Sequence, residues 1–173
     1  MTWLIAGLVI FLGVHSVRIV ADDWRTAQIA KVGPKVWKGG YALLSLLGFV
    51  LIVVGYGLAR QAPVVVYSPP TWLRDLAVVL TIPAFILVSA AYVPGTRIKR
   101  AVGHPMVLGV KVWAVAHLLA NGMLADLVLF GSFLVWAVFN YAAARRRDRA
   151  AGTAYAAGAV ASDIKAVVSG LVI

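Results

Sequence analysis

Residues 97–122 read RIKRAVGHPMVLGVKVWAVAHLLANG and contain two of the three histidines in the chain, His104 and His117. The segment opens with a basic cluster, breaks at its Gly-His-Pro step and then stays apolar almost to its end. Proline suits the first turn of a helix, where its missing N–H would have no partner. A helix is therefore predicted to begin at Pro105 and to end near residue 121.

The composition indicates an integral membrane protein. Apolar residues make up 62% of the 173 residues and charged residues 13%, whereas soluble domains carry about 25% charged residues. The absence of cysteine excludes disulfides and thiolate metal sites. The net charge of +10 is divided among short clusters between apolar runs, as bilayer topology demands. No nucleic-acid partner is expected, because phosphate binding needs a contiguous basic surface.

The apolar runs predict an all-α fold, a polytopic transmembrane helical bundle with five full spans and a partial or truncated sixth in one domain over 1–173. The predicted spans are approximately 2–20, 41–59, 72–93, 105–121, 124–143 and, in part, 164–173. The last run is apolar from Ala166 to Ile173, roughly 12 Å of helix. It is either an interfacial segment or a sign that the chain stops short of its natural C-terminus, the favoured interpretation. Three glycines of the second span are predicted close-packing points: Gly48, Gly55 and Gly57.

The basic residues predict the orientation of the spans. The loops after spans one, three and five carry most of the lysines and arginines near the membrane, whereas the other two loops carry only Arg60 and Arg74. Positively charged loops stay on the cytoplasmic side. The N-terminus is therefore predicted to face outward.

Histidines within apolar spans are the main functional signal, because polar groups in hydrocarbon usually have a specific role. Imidazole is a common haem ligand, and His15 and His117 on two facing helices could each supply one axial nitrogen. Arg18, Lys111 or the cluster at 97–100 could pair with the haem propionates. The alternative is that both histidines form hydrogen bonds between helices and only hold the bundle together.

The pairing of the histidines stays open at this point. With a rise of 1.5 Å per residue, His15 and His117 are expected to differ in depth by roughly 10 Å, although helix tilt could close that gap. By depth alone His15 would pair more easily with His104, which could instead cap a helix, bind a headgroup or hold a polar cofactor. Trp113 could line a cofactor pocket, although core packing is the simpler interpretation. Without cysteine or glutamate, a zinc or di-iron site is not expected.

The chain resembles the NnrU family of bacterial membrane proteins, which includes the plant and cyanobacterial 15-cis-zeta-carotene isomerases. The resemblance covers most of the chain and is most specific in three segments: GVHSVRI (13–19), GHPMVLGVKVWAVAHLLANG (103–122) and DLVLFGSFLVWAV (126–138). It implies a bacterial inner-membrane protein with haem b bound by His15 and His117, linked to denitrification and nitric oxide metabolism. The isomerase branch has a cysteine three residues before the second ligand, where this chain has Ala114.

Three functions follow as alternatives. The first is a haem b membrane protein, and the second is a membrane cis-trans isomerase acting on a polyene or another apolar lipid. The third is a cofactor-free scaffold or assembly factor for other membrane proteins. The His-Pro step is also similar to one in isoprenylcysteine carboxyl methyltransferases, where an Arg-His-Pro step helps hold S-adenosylmethionine, but Gly103 replaces that arginine here.

Overall fold

A computed structural model describes residues 1–172, which form eight α-helices and no strand. The helices are α1 (Thr2–Val20), α2 (Asp22–Val32), α3 (Pro34–Ala59), α4 (Thr71–Tyr92), α5 (Arg97–Val102), α6 (Pro105–Ala120), α7 (Leu124–Ala150) and α8 (Val160–Val172). The all-helical fold predicted from the sequence is confirmed. The start of α6 at Pro105 is confirmed as well.

Four of these helices, α1, α3, α4 and α7, are long and apolar enough to cross a membrane. Helix α6 is apolar but has only 16 residues, which is about 24 Å of helix beside a hydrocarbon core of about 30 Å. Helix α8 is shorter still, with 13 residues. The structure therefore supports several membrane-spanning helices, while the count of five full spans stays a prediction.

The charged segments between the apolar runs are largely helical, which the apolar pattern did not indicate. Asp22 and Asp23 lie in the first turn of α2, where acidic side chains complement the helix dipole. Gly33, with φ of 84°, separates α2 from α3. Helix α5 forms from the basic cluster, and the Thr96 hydroxyl caps it by accepting the backbone N–H of Lys99 at 3.1 Å.

The chain divides into two compact units, and the first contains Met1–Val66 and Met123–Ser132. Within it, α1 packs along α3. A Cβ atom at Gly48 would lie 2.7 Å from a backbone nitrogen of α1, and one at Gly55 would meet the α1 backbone even more closely. Both predicted packing points are confirmed. The prediction for Gly57 is wrong, because a Cβ there meets no atom within 4 Å.

The second unit contains Tyr67–Gly122 and the chain from Phe133 onward. Helix α4 packs against both α6 and α8 in this unit. Gly109 allows the first contact, since a Cβ there would lie 2.8 Å from the carbonyl oxygen of Ala84. Gly170 allows the second in the same way, with an α4 backbone atom 2.6 Å from its notional Cβ.

Candidate functional site

His15 lies on α1 in the first unit, with its ring held by aromatic neighbours. Its Nδ1 atom is 2.6 Å from the carbonyl oxygen of Phe11, one turn earlier in the helix. The imidazole stacks on the Phe11 ring with centroids 4.3 Å apart, and the Tyr41 ring of α3 lies 5.2 Å away. The ring is half-buried. These contacts with Phe11 and Tyr41 help fix the orientation of the ring.

His117 lies on α6 in the second unit. The Trp113 ring, one turn earlier, meets it edge-on with centroids 4.9 Å apart. Trp113 in turn packs edge-on against Phe133 at 5.7 Å and lines an apolar cavity of about 270 Å³. The amide of Asn121 donates to the His117 carbonyl at 2.9 Å, and its nitrogen is 3.4 Å from Nδ1 of the ring.

Two of the predicted cationic partners, Arg18 and Lys111, have interactions of their own. Arg18 lies 3.8 Å from the Asp22 carboxylate in an exposed ion pair. Lys111 places its amino group 5.2 Å from the centre of the Tyr141 ring, a cation–π contact that lowers the cost of a lysine in an apolar helix. The Tyr141 hydroxyl donates to the carbonyl oxygen of Val102 at 2.7 Å. Lys111 thus lies at the same end of the second unit as the Gly-His-Pro step.

His104 belongs to a polar cluster that the sequence did not predict. Its Nε2 atom is 2.9 Å from Oδ2 of Asp148 on α7. The Tyr155 hydroxyl donates to the same carboxylate oxygen at 2.7 Å, and the Arg145 guanidinium approaches it at 3.5 Å. His104 occupies the N-cap position of α6, but its side chain makes no capping hydrogen bond. Of the alternatives predicted for His104, helix capping by its side chain is therefore wrong, and the ring contacts Asp148 instead.

Gly103 makes room for this cluster. Its φ of 75° lies in the left-handed region, which side chains other than glycine rarely adopt. A Cβ there would lie 2.5 Å from the Arg145 guanidinium and 3.0 Å from the Tyr155 hydroxyl. The glycine that replaces the arginine of the methyltransferase pattern is thus favoured by its backbone conformation.

The cluster can orient a histidine for proton exchange. Asp148 contacts Nε2 of His104 at 2.9 Å and so fixes the orientation of the ring. The other ring nitrogen, Nδ1, makes no hydrogen bond to any residue in the range 1–172, and the side chain is 31% exposed. Burial raises the pKa of the Tyr155 phenol above its usual range, and the hydrogen bond to Asp148 acts in the same direction. Tyr155 therefore stays a neutral donor to the carboxylate.

A second polar pair that the sequence did not predict lies in the first unit. Asp126, near the start of α7, is only 4% exposed. It accepts the Tyr56 hydroxyl at 2.6 Å and the backbone N–H of Met123 at 3.2 Å. The Arg60 guanidinium lies 5.7 Å from the centre of the Tyr56 ring. This buried carboxylate caps α7 and ties it to α3.

These features define the class of the protein: an all-helical membrane protein with histidines on its apolar helices. In the part of the chain that the structure describes, no three His, Asp or Glu side chains come together as a metal-binding group. The family model described as "NnrU protein" matches residues 3–173. The chain therefore belongs to the NnrU family, as the sequence resemblance indicated. No curated protein and no solved structure matches it.

Proposed function

We propose that this NnrU family protein binds haem b among its membrane-spanning helices, with His15 as one axial ligand. The observation that carries this proposal is the 2.6 Å contact between Nδ1 of His15 and the Phe11 carbonyl oxygen. A carbonyl oxygen only accepts hydrogen bonds, so Nδ1 carries a proton, and in the neutral ring the lone pair then lies on Nε2. Histidines that bind metals commonly hold their second ring nitrogen in this way.

The surroundings of His15 also suit a macrocycle. The rings of Phe11 and Tyr41 contact the imidazole, and such apolar walls keep water from a bound porphyrin. When bound by two histidines, haem would supply an iron that exchanges one electron, and one histidine would have to leave before that iron could take a small diatomic ligand. That chemistry supports the link to nitric oxide metabolism and denitrification that the family resemblance implies.

The second ligand in this proposal is His117, on the strength of the family motif. Trp113 beside it supplies an aromatic wall. His104 is the weaker alternative, because its Nε2 atom already contacts Asp148 and only Nδ1 could reach a metal. Arg18, with its exposed ion pair to Asp22, and Lys111, over the Tyr141 ring, would have to leave these contacts to pair with propionates.

The membrane arrangement belongs to the same proposal. Helix α6 crosses the bilayer as a fifth span, since a helix of 16 residues is accommodated by local thinning of the bilayer. The distribution of basic residues supports an inner-membrane location with an outward N-terminus. A cysteine-accessibility scan at Thr2 and at Arg146 tests the orientation, and labelling of position 2 only from the cytoplasmic side would overturn it.

Optical spectroscopy of the purified protein tests haem binding. The wild-type chain, produced with ample haem supply, is expected to give a reduced-minus-oxidised spectrum of a six-coordinate haem b. His15→Ala and His117→Ala are expected to lose that spectrum, whereas His104→Ala is expected to keep it. Ser16→Ala is the matched control, because it changes the same turn of α1 without removing an imidazole. Absence of haem from the wild type, or an unchanged spectrum in His15→Ala, would refute the proposal.

One observation favours the second candidate function, isomerisation of a polyene. The cavity of about 270 Å³ beside Trp113 is lined by apolar side chains of α4, α6 and α7, and a segment of a long unsaturated chain fits such a surface. The haem-loaded protein, given a cis-polyene, would then change the isomer ratio, and Val110→Trp would block this change by filling the cavity. An unchanged isomer ratio with haem bound excludes the isomerase function.

The third candidate function, a cofactor-free scaffold, would be favoured if a His15→Ala/His117→Ala double variant functioned normally.

A further inference from the structure

The first unit contains an open cavity of about 350 Å³ where α1, α2 and α3 meet. This volume lies within the range of about 300–1,000 Å³ typical of ligand pockets. Its wall is apolar and includes Val14 and Val17 of α1 and Val36 and Leu44 of α3. An occupant with an apolar chain suits this surface.

Two tryptophans line the cavity. Trp24 of α2 and Trp37 of α3 both line it, and their rings meet edge-on with centroids 5.9 Å apart. Trp24 is 54% exposed, as expected of an aromatic side chain at headgroup level. The cavity thus lies where the polar and apolar parts of a lipid would meet.

Three exposed lysines are sequence neighbours of residues in the cavity wall, although none of them lines the cavity itself. Lys31 precedes Val32, Lys35 precedes Val36 and Lys38 follows Trp37, and each of these neighbours lines the cavity. All three lysines are exposed. Within residues 1–172 no carboxylate lies within 4 Å of their amino groups, whereas Asp22 is paired with arginines. An anion near the cavity would therefore meet cations that are not already neutralised.

We propose that this cavity is a binding site for an anionic phospholipid. One acyl chain occupies the apolar cavity, the tryptophans lie beside the glycerol region, and the lysines attract the phosphate and the charged headgroup. Charge complementarity selects this occupant over a zwitterionic lipid or a neutral isoprenoid. Basic residues near a membrane surface contribute on the order of fivefold each to the binding of anionic lipid.

Two neighbouring glycines make a matched pair of variants. Gly40 lines the cavity and Gly39 does not. A Cβ at either position meets no atom within 4 Å, so neither substitution clashes at its Cβ. Gly40→Leu fills part of the cavity, and Gly39→Leu adds the same side chain elsewhere on α3. A Lys31→Gln/Lys35→Gln/Lys38→Gln variant removes the charges and leaves the cavity open.

Native mass spectrometry of the detergent-solubilised full chain tests the site, with phosphatidylglycerol and phosphatidylcholine carrying identical acyl chains. The wild type and Gly39→Leu are expected to retain phosphatidylglycerol at least about tenfold more than phosphatidylcholine. Gly40→Leu is expected to retain neither lipid, and the triple lysine variant to retain both equally. Equal retention of both lipids by the wild type, full retention by Gly40→Leu, or displacement of phosphatidylglycerol by a neutral quinone would each overturn the proposal.

Discussion

Gly55→Ala is expected to destabilise the protein strongly, because Gly55 lies where the backbones of α3 and α1 are closest. The added Cβ would contact the backbone of Leu4 and Trp3 at less than van der Waals distance. Backbone atoms cannot rotate away as a flexible side chain can, so the two helices must separate. Overpacking of this kind costs about 1–3 kcal/mol, and Leu4, fully buried at this contact, would lose packing as well.

Gly57→Ala provides the matched control, since the same methyl group on the same helix meets no atom within 4 Å. Replacing glycine within a helix by alanine gains about 1 kcal/mol of helix propensity. Because Gly55→Ala gains the same propensity, the two variants are expected to differ by the overpacking cost alone, about 1–3 kcal/mol in the free energy of unfolding. Reversible unfolding in mixed micelles, with increasing dodecyl sulfate and detection by circular dichroism, measures this difference. Equal stability of the two variants would refute the packing argument.

Three further predictions concern the polar groups around Asp148 and Asp126. Tyr155→Phe removes the hydrogen bond to Asp148 and should lower the free energy of unfolding by about 1–2 kcal/mol. Folding raises the pKa of the Tyr155 phenol. The stabilisation is therefore present below about pH 10 and is lost as the pH rises through the raised pKa. Comparing absorbance at alkaline pH between the wild type and the variant should show one late-titrating tyrosine. Asp126→Ala leaves Tyr56 without its acceptor and should cost about 1–3 kcal/mol, whereas Asp126→Asn should retain much of that stability in the same unfolding assay. Gly103→Ala forces a residue with a side chain into the left-handed region and should lower the free energy of unfolding by about 1–2 kcal/mol. An unchanged free energy of unfolding would contradict the requirement for glycine at this position.

The apolar helices could be predicted from the sequence because their signal is local. The first span was expected at 2–20, and α1 covers Thr2–Val20. The start of α6 could be predicted because Pro105 suits the first turn of a helix. In contrast, Gly55 and Gly57 could not both pack against α1, because residues two apart on a helix point about 200° away from each other. Helical geometry alone therefore predicts that only one of these two glycines lies at the contact.

The polar cluster could not be found in the same way, because its members are distant in sequence. His104 and Asp148 are 44 residues apart, and Tyr155 lies in a segment of mostly small residues without a recognisable motif. One weak signal was present: Asp148 is the single acid within the arginine-rich end of α7. A lone carboxylate among cations indicates a local partner, but the sequence does not show that the partner is a histidine.

The attachment of α8 does not depend on the loop that precedes it. The Asp163 carboxylate accepts the backbone N–H groups of Arg97 and Ile98, at 2.7 and 3.3 Å, and the N–H of Ala159 donates to the carbonyl oxygen of Gly95 at 2.9 Å. These bonds join the start of α8 to the start of α5, and all of them lie outside residues 151–158. A protease that cleaves the exposed stretch 151–154 would therefore leave two fragments that stay associated and copurify.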